Sequence, residues 1–239
     1  TPIKSSAASD VYKRQGEDIM TTQEKNGITE GVIWKQLLIF FFPILVGSFF
    51  QQLYNTVDSV IVGQFVGKEA LSSVGGSAGQ IISLVVGFFT GVSTGATVII
   101  SQYFGAGKKE EIEESLHTAY AFALVGGLVL GIAGIVFAPQ MLRWMNTPEE
   151  LIAESVLYVR VYFSGLIFIF IYNMGAAILR AVGDSKRPLY YLIVCSVVNI
   201  ILDLLLILVI PLGVLGAAIA TLIAQAVSAV SVSYTHLTL

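Results

Sequence analysis

The sequence predicts an all-α integral membrane protein with six transmembrane helices. Of its 239 residues, 55% are hydrophobic and only 12% are charged, and the mean hydropathy is +0.81. An ordinary soluble domain carries about 25% charged residues. The apolar residues fall into six segments, each near the ~20 residues that a membrane helix needs. A soluble enzyme or a secreted scaffold is therefore excluded.

The six predicted spans are separated by short hydrophilic connectors. The first two exceed the minimum length for crossing a bilayer, which favours tilted helices or helices that extend beyond it. Glycine, proline and charged residues fill the connectors, as is typical of segments that end a helix. The spans lie at residues 34–66, 71–104, 116–141, 155–179, 188–210 and 213–232.

Basic residues predict the orientation of the spans. The second and fourth connectors hold more lysine and arginine than the first and third. By the positive-inside rule these connectors and the amino terminus face the cytoplasm. We therefore expect a multi-pass protein of the plasma (inner) membrane with a cytoplasmic N-terminus.

The two ends of the chain differ from the middle. We interpret residues 1–19 as a non-native or untranslated leader, because they are polar and aperiodic and precede Met20. Residues 20–33 form a cytoplasmic N-terminal segment, and residues 34–232 form the transmembrane lobe. Residues 233–239 are interpreted as a non-native tail. We accordingly expect this chain to be a fragment.

Composition and rare residues also exclude several kinds of function. The net charge of −3 includes no basic patch that would favour nucleic acid. One cysteine cannot form a disulfide framework within the chain. His117 and His236 supply no cluster of nucleophile, base or metal ligands. We predict no enzyme activity and no cofactor, and an intramembrane enzyme or receptor-like binding protein is the least favoured alternative.

Two carboxylates, Asp58 and Asp203, lie inside apolar spans. A charge at the centre of a membrane helix costs roughly 2.5–3.5 kcal/mol on insertion scales, so such residues usually have a function. Asp58 shares a helix face with Gln51 and Asn55, and Asp203 follows Asn199 by four residues.

Two buried acids favour cation handling, because a carboxylate in a low dielectric takes up a proton and oxygen ligands bind hard cations. Asp203, Asn199 and Thr221 offer such oxygens, and a sodium ion is one candidate. The residues alone also allow another interpretation, in which the acids form hydrogen bonds between helices that only fix the packing.

Further polar and aromatic side chains are candidates for lining a cavity. In the fourth span, tyrosines repeat on one predicted helix face, either as interfacial anchors or as an aromatic wall for an organic substrate. In the second span, a small and polar stripe begins at Gln80 and suits close packing or a wet cavity. The candidates are Gln51, Asn55, Gln80, Tyr158, Tyr162 and Tyr172.

Several motifs in separate helices resemble those of the MATE (multidrug and toxic compound extrusion) family. Residues 180–188 read RAVGDSKRP, and residues 213–221 read GVLGAAIAT. In the first span, Pro43 is followed by VDSVIVGQFVG at residues 57–67. The resemblance covers almost all of the region from residue 33 to residue 231.

The resemblance implies a function. MATE proteins are twelve-helix antiporters of two six-helix lobes, and they export organic, often cationic, compounds by alternating access against sodium or protons. This chain resembles the amino-terminal lobe. The implied partners are membrane lipid, a small organic substrate, sodium or protons, and a missing C-terminal six-helix lobe.

The resemblance also assigns roles to residues. It places the cation site at Asp58, Asn199, Asp203 and Thr221, with Tyr158 as the matching fourth-helix tyrosine. It gives structural roles to Pro43 of the first span and to the signature residues of the fourth connector, where Gly183 would end one helix and Pro188 begin the next. These residues are Pro43, Arg180, Gly183, Asp184, Lys186 and Pro188.

One alternative within the same superfamily is a flippase for lipid-linked oligosaccharide. Its cargo is anionic, so its cavity would be lined by cationic groups. The candidates here are acids and amides, which favours export of organic cations.

Overall fold

In a computed structural model, the structure describes residues 32–237, and within that range the chain is built from α-helices joined by short turns. The predicted all-α membrane fold is confirmed. Most residues predicted as a leader and N-terminal segment lie outside the described residues. The predicted tail continues the last helix as far as Leu237. The helices are α1 (Ile33–Ile61), α2 (Lys68–Gly75), α3 (Ser77–Gly105), α4 (Lys109–Trp144), α5 (Glu149–Ser164), α6 (Leu166–Ala181), α7 (Lys186–Asp203) and α8 (Val214–Leu237), with π-helical turns at Val62–Val66 and Leu204–Val209.

Five helical stretches in the described region are long and apolar enough to cross a membrane, and α5 with α6 makes a sixth. The third stretch begins earlier and ends later than the sequence suggested. It includes the charged residues that follow Lys108, because helical hydrogen bonding begins before the apolar run and continues after it ends. The five stretches are Trp34–Val66, Lys68–Gly105, Lys109–Trp144, Lys186–Val209 and Val214–Tyr234.

The fourth span differs from the straight helix predicted for residues 155–179. Its two halves, α5 and α6, meet at Gly165 with a bend of 49°. Gly165 packs against α8 so closely that a Cβ there would lie 2.5 Å from Leu222 Cδ1. On the other side, a Cβ at Gly127 of α4 would lie 2.8 Å from Ile167 Cα. The bend thus depends on close approach to two other helices.

Helix α6 lies at the centre of the lobe and packs against α3, α4 and α8. Phe170 of α6 is fully buried and stacks on Phe89 of α3. The small residues Gly216, Ala220, Ala224 and Ser228 of α8 are buried as well, and a Cβ at Gly216 would lie 2.9 Å from the carbonyl oxygen of Leu206. Small residues permit such close helix approach in membranes.

Helix α1 occupies the edge of the lobe and packs mainly on α7. Many of its large apolar side chains, including Phe42 and Phe49, are exposed. In a membrane protein such surfaces face lipid or another part of the protein, and they carry no hydrophobic cost there.

An arginine inside the fourth span compensates for a proline in the third. Pro139 has no N–H to donate to the carbonyl of Ile135, four residues earlier. Arg160 of α5 donates from Nε to that carbonyl at 3.1 Å. No sequence pattern indicates this role of Arg160, because it depends on the contact between α4 and α5.

The turn between α6 and α7 is closed by backbone hydrogen bonds around Gly183. This residue has φ +91°, a conformation that glycine adopts without strain. The Gly183 N–H donates to Arg180 O at 3.1 Å, and the Asp184 N–H donates to Leu179 O at 2.8 Å. This pair of bonds is the Schellman motif, which ends helices at a glycine.

The Asp184 side chain then begins α7. Its Oδ1 accepts from the N–H groups of Lys186 and Arg187, both at 3.1 Å, and its Oδ2 pairs with Arg187 Nε at 3.1 Å. Helix α7 begins at Lys186, two residues before Pro188, where we expected it to begin. A proline fits there because N–H groups of the first turn have no acceptor within the helix.

Candidate cation site

Three helices bring the four predicted cation-site residues to one region of the lobe. Asp58 lies in the last turn of α1, Asn199 and Asp203 lie in α7, and Thr221 lies in α8. Asn199 and Asp203 are 0% exposed and Thr221 is 4% exposed. Asn199 Nδ2 donates to Thr221 Oγ1 at 3.5 Å.

Helix packing explains why these residues meet. Helix α7 packs on α1 on one side and on α8 on the other. The i, i+4 spacing of Asn199 and Asp203 puts both side chains on the same face of α7. Each acid is followed within four residues by a π-helical turn, and the two π-helical turns contact each other. Such turns often occur at functional sites.

The two carboxyl groups lie close together, and a hydrogen bond between them would require a proton on one of them. Without that proton, Asp58 Oδ1 and both Asp203 carboxyl oxygens are buried with no donor among the described residues. Asn199 Oδ1 is in the same position. Buried oxygens without a donor are costly, and two close carboxylates repel each other. A proton or a small cation between them would relieve both costs.

Tyr54 belongs to this cluster and was missed in the sequence analysis. It lies one turn before Asp58 on α1, is 9% exposed, and lies close to Thr221. The i, i+4 spacing from Asp58 was the available signal. A tyrosine is common in membrane helices, so its presence alone did not indicate a site.

Two tyrosines of α5 also face the cluster. Tyr158 is buried and Tyr162 is half-buried, and both are close enough to Asp58 to interact with its charge. Their ring centroids are 6.2 Å apart. Together with Tyr54 they form an aromatic wall beside the acids.

Tyr172 does not belong to that wall, so the single tyrosine face predicted for the fourth span is wrong. The bend at Gly165 separates Tyr172 from Tyr158 and Tyr162. Tyr172 instead lines a pocket away from the acid cluster. There its hydroxyl donates to Pro188 O at 3.5 Å. A periodicity argument holds only while the helix is straight.

This pocket, which we call the Arg180 pocket, lies between α1, α6 and α7 and has a volume of about 240 Å³. Arg180 lies in the last turn of α6, whereas the sequence predicted that it lies in the connector. Helical hydrogen bonding continues two residues beyond the predicted end of the span. The lining residues include Pro43, Ser48, Gln51, Tyr172, Asn173, Arg180 and Ser185.

The structure does not bring Asn55 or Gln80 to the acid cluster. Both side chains are exposed, as is much of the polar stripe of α3. Thr90 and Thr94 in that stripe donate to carbonyls of their own helix, at 2.9 and 2.8 Å. The stripe is therefore a separate polar surface of the described lobe.

Comparison with known proteins gives the family. The MatE family model matches residues 43–205, a range that includes Asp58, Asn199 and Asp203. The chain belongs to the MatE family. The resemblance seen in the sequence motifs is thus confirmed, and the members of this family are transporters.

Among MatE relatives, the chain is similar to the probable multidrug resistance protein YoeA of Bacillus subtilis (strain 168). The two are 33% identical over 211 residues, which cover 87% of this chain and 45% of YoeA. The probable multidrug resistance protein YpnP of the same organism is 34% identical over 203 residues, covering 84% of this chain and 45% of YpnP.

The fold also matches solved structures of the MatE family. An outward-facing multidrug resistance MATE transporter of the MOP superfamily superimposes with a TM-score of 0.79 at 28% identity, covering 84% of this chain and 44% of that one. The chain spans less than half the length of these relatives.

Proposed function

We propose that this chain is the cation-coupling lobe of an antiporter that exports organic, often cationic, compounds by alternating access. Sodium ions or protons would drive the exchange. The observation that carries the proposal is the pair of carboxyl groups, Asp58 and Asp203, whose buried oxygens have no donors among the described residues. Cation coupling requires a site whose negative charge is not balanced by the protein. These two acids provide such a site in a member of a multidrug transporter family.

The pair would act by controlling how α1 meets α7. With a proton or sodium ion bound, Asp58 and Asp203 are held together by hydrogen bonding or shared coordination. When the cation leaves, two close negative charges repel each other and favour separation of the helices. Because α1 makes its main contact with α7, this repulsion acts on a helix at the edge of the lobe.

An organic cation could replace the inorganic one. Tyr54, Tyr158 and Tyr162 lie beside Asp58, and aromatic faces attract organic cations. Two positive charges would compete for the same two acids, so the binding of one weakens the binding of the other. Such negative coupling is reciprocal and gives exchange rather than co-transport.

The relatives support the substrate class and the surroundings of the lobe. YoeA and YpnP are both named probable multidrug resistance proteins. Since the chain covers 45% of YoeA, we propose that a second six-helix lobe supplies the opposite wall of the cavity. The proposed location is the plasma membrane, with the amino terminus and basic connectors in the cytoplasm.

The deep site gives no support to the oligosaccharide flippase. That function needs cationic groups around an anionic cargo. Two acids and three tyrosines surround the proposed site instead.

A chimaeric transporter tests the proposal. Residues 32–232 would replace the aligned half of YoeA, and efflux of ethidium would be followed in everted vesicles under an imposed sodium or pH gradient. We expect Asp203→Asn to abolish gradient-driven efflux while the protein remains in the membrane. The gradient that drives the parent chimaera identifies the coupling ion.

The matched control is Glu110→Gln, the same kind of neutralisation at an exposed acid of α4. It should leave efflux unchanged. Undiminished efflux by both Asp58→Asn and Asp203→Asn would remove the coupling site from these residues.

A further inference from the structure

The Arg180 pocket has the opposite charge from the acid cluster. Among the described residues that line it, Arg180 is the only charged one, and none is a carboxylate. Neutral polar groups from α1, α6 and the connector before α7 complete the polar lining. Its volume of about 240 Å³ is below the roughly 300–1,000 Å³ of pockets for drug-sized ligands. A small polar group fits this space better than a whole drug molecule.

Within the described residues, no ion pair or hydrogen bond holds the Arg180 guanidinium. The residue is half-buried. The nearest acid in sequence, Asp184, is already engaged by Arg187 and by the first N–H groups of α7. A guanidinium carries five N–H donors, and removing it from water without an anion is costly. Arg180 therefore needs an anionic partner, and the described lobe does not supply one.

Neutral donors face the same space. Gln51 of α1 offers a side-chain amide, and Ser185, before α7, offers a hydroxyl. Ser185 is 5% exposed, so its side chain is held within the protein rather than spread over the surface. The lining thus combines one cation with hydrogen-bond donors from two other parts of the fold.

We propose that the Arg180 pocket binds a phosphate group, carried by an anionic lipid of the cytoplasmic leaflet or present as free phosphate. The planar guanidinium of Arg180 forms two parallel hydrogen bonds to phosphate oxygens, as this group is suited to do. Gln51 and Ser185 donate to the remaining oxygens.

The position of the pocket fits a lipid head group. Arg180 is in the last turn of α6, next to a connector whose basic residues predict a cytoplasmic location. Basic pockets between transmembrane helices on the cytoplasmic side bind lipid head groups. A phosphate here also bridges α1 and α6, which make little direct contact.

Thermal unfolding of the full chain in a neutral detergent tests the proposal. Micelles would be doped with phosphatidylglycerol, with phosphatidylcholine, or with neither, and inorganic phosphate would be added in a separate series. We expect phosphatidylglycerol to raise the Tm by about 5 °C and phosphatidylcholine to leave it unchanged. Native mass spectrometry should show one retained phosphatidylglycerol.

Two variants separate this pocket from general charge attraction. Arg180→Gln should lose the Tm shift and the retained lipid. Lys186→Gln removes an exposed positive charge from the start of α7, outside the pocket lining, and should keep both. A full shift in Arg180→Gln, or an equal loss in both variants, would overturn the proposal.

The phosphate series identifies the source of the anion. A shift as large with inorganic phosphate as with phosphatidylglycerol supports free phosphate, and a shift with the lipid alone supports a head group. No shift with either probe in the unmodified chain overturns the proposal.

A third variant covers the case in which Arg180→Gln does not fold. Ser48→Leu keeps the arginine and fills part of the pocket from an exposed position of α1. Lipid retention should fall about tenfold, because the phosphate can no longer reach the charge-assisted hydrogen bonds of Arg180. Unchanged retention in a folded Ser48→Leu protein would contradict the proposal.

Discussion

The acid cluster and the Arg180 pocket both involve α1 and α7, yet they have opposite charge. Gln51 in the pocket and Asp58 in the cluster are seven residues apart on one face of α1, or about 10 Å along the helix axis. What differs is the third helix. Helix α8 and the α5 tyrosines complete the acid cluster, and the end of α6 completes the pocket. A shared helix face therefore does not define a shared site.

The two regions also differ in their access to water. Asp203 and Asn199 are fully buried, whereas Arg180 is half-buried and Gln51 is exposed. An ion in the acid cluster must lose most of its water, which favours a proton or a small cation. An anion in the pocket keeps part of its hydration, so its binding should weaken with salt.

The acids should act as one unit. In the YoeA chimaera, we expect Asp58→Asn, Asp203→Asn and the double variant to reduce gradient-driven efflux by a similar factor of at least about 100. Groups that share one ion lose their function together, so the second substitution adds little. Initial efflux rates in vesicles check this. Independent, multiplying losses would show that the two carboxyl groups hold separate ions.

A new carboxylate in the pocket should cancel its charge. We expect Gln51→Glu to weaken phosphatidylglycerol binding by at least about 30-fold, because the introduced acid pairs with Arg180 and repels phosphate. Native mass spectrometry measures the retained lipid. Gln52→Glu, at an exposed neighbouring position of α1 that does not line the pocket, is the control. If both variants bind lipid equally, Gln51 is not part of the phosphate site.

Removing one hydroxyl should weaken the acid cluster without abolishing it. Tyr54→Phe removes a hydroxyl that lies close to Thr221 and Asp58, and a loss of about 1 kcal/mol corresponds to a roughly fivefold weaker binding of the coupling cation. The concentration of sodium or protons needed for half-maximal efflux reports this change. Tyr190→Phe, at an exposed tyrosine of α7, should have no effect. An unchanged half-maximal concentration in Tyr54→Phe would remove Tyr54 from the cation site.

Substitution of Arg160 tests whether lipid binding requires a guanidinium that has no partner within the described lobe. Arg160 is already bonded to Ile135 O, so Arg160→Gln should lower stability by about 1 kcal/mol and the Tm by about 2–4 °C. The rise in Tm with phosphatidylglycerol should persist, because Arg160 does not line the Arg180 pocket. Loss of that rise in Arg160→Gln would show that lipid binds elsewhere on the lobe.

The sequence was most informative where a residue type is costly in its surroundings. Asp58 and Asp203 are conspicuous because an acid in an apolar span needs a reason. Asn199 followed from the spacing on α7, and the role of Thr221 was implied by family resemblance. Tyr54 carries no such cost in a membrane span. Its link to the site is its proximity to Thr221 of α8, and a local sequence pattern does not show contacts between helices.

Two residues were misplaced for separate physical reasons. The bend at Gly165 comes with close packing against Leu222 and against α4, contacts that hydrophobic periodicity does not contain. Tyr172 was therefore assigned to the wrong surface. Arg180 was placed in a connector because hydropathy falls before the helix ends. Backbone hydrogen bonds around Gly183 continue α6 beyond that point.

The π-helical turns after the two acids have a mechanical consequence. Each such turn holds one residue more than an α-helical turn needs. If either returned to α geometry, the residues beyond it would advance by one position and rotate by about 100°. Val62–Val66 and Leu204–Val209 thus store a register change directly beside Asp58 and Asp203. Each span could then rotate relative to the residues beyond its π-helical turn in a step of one residue, while its other helical hydrogen bonds stay intact.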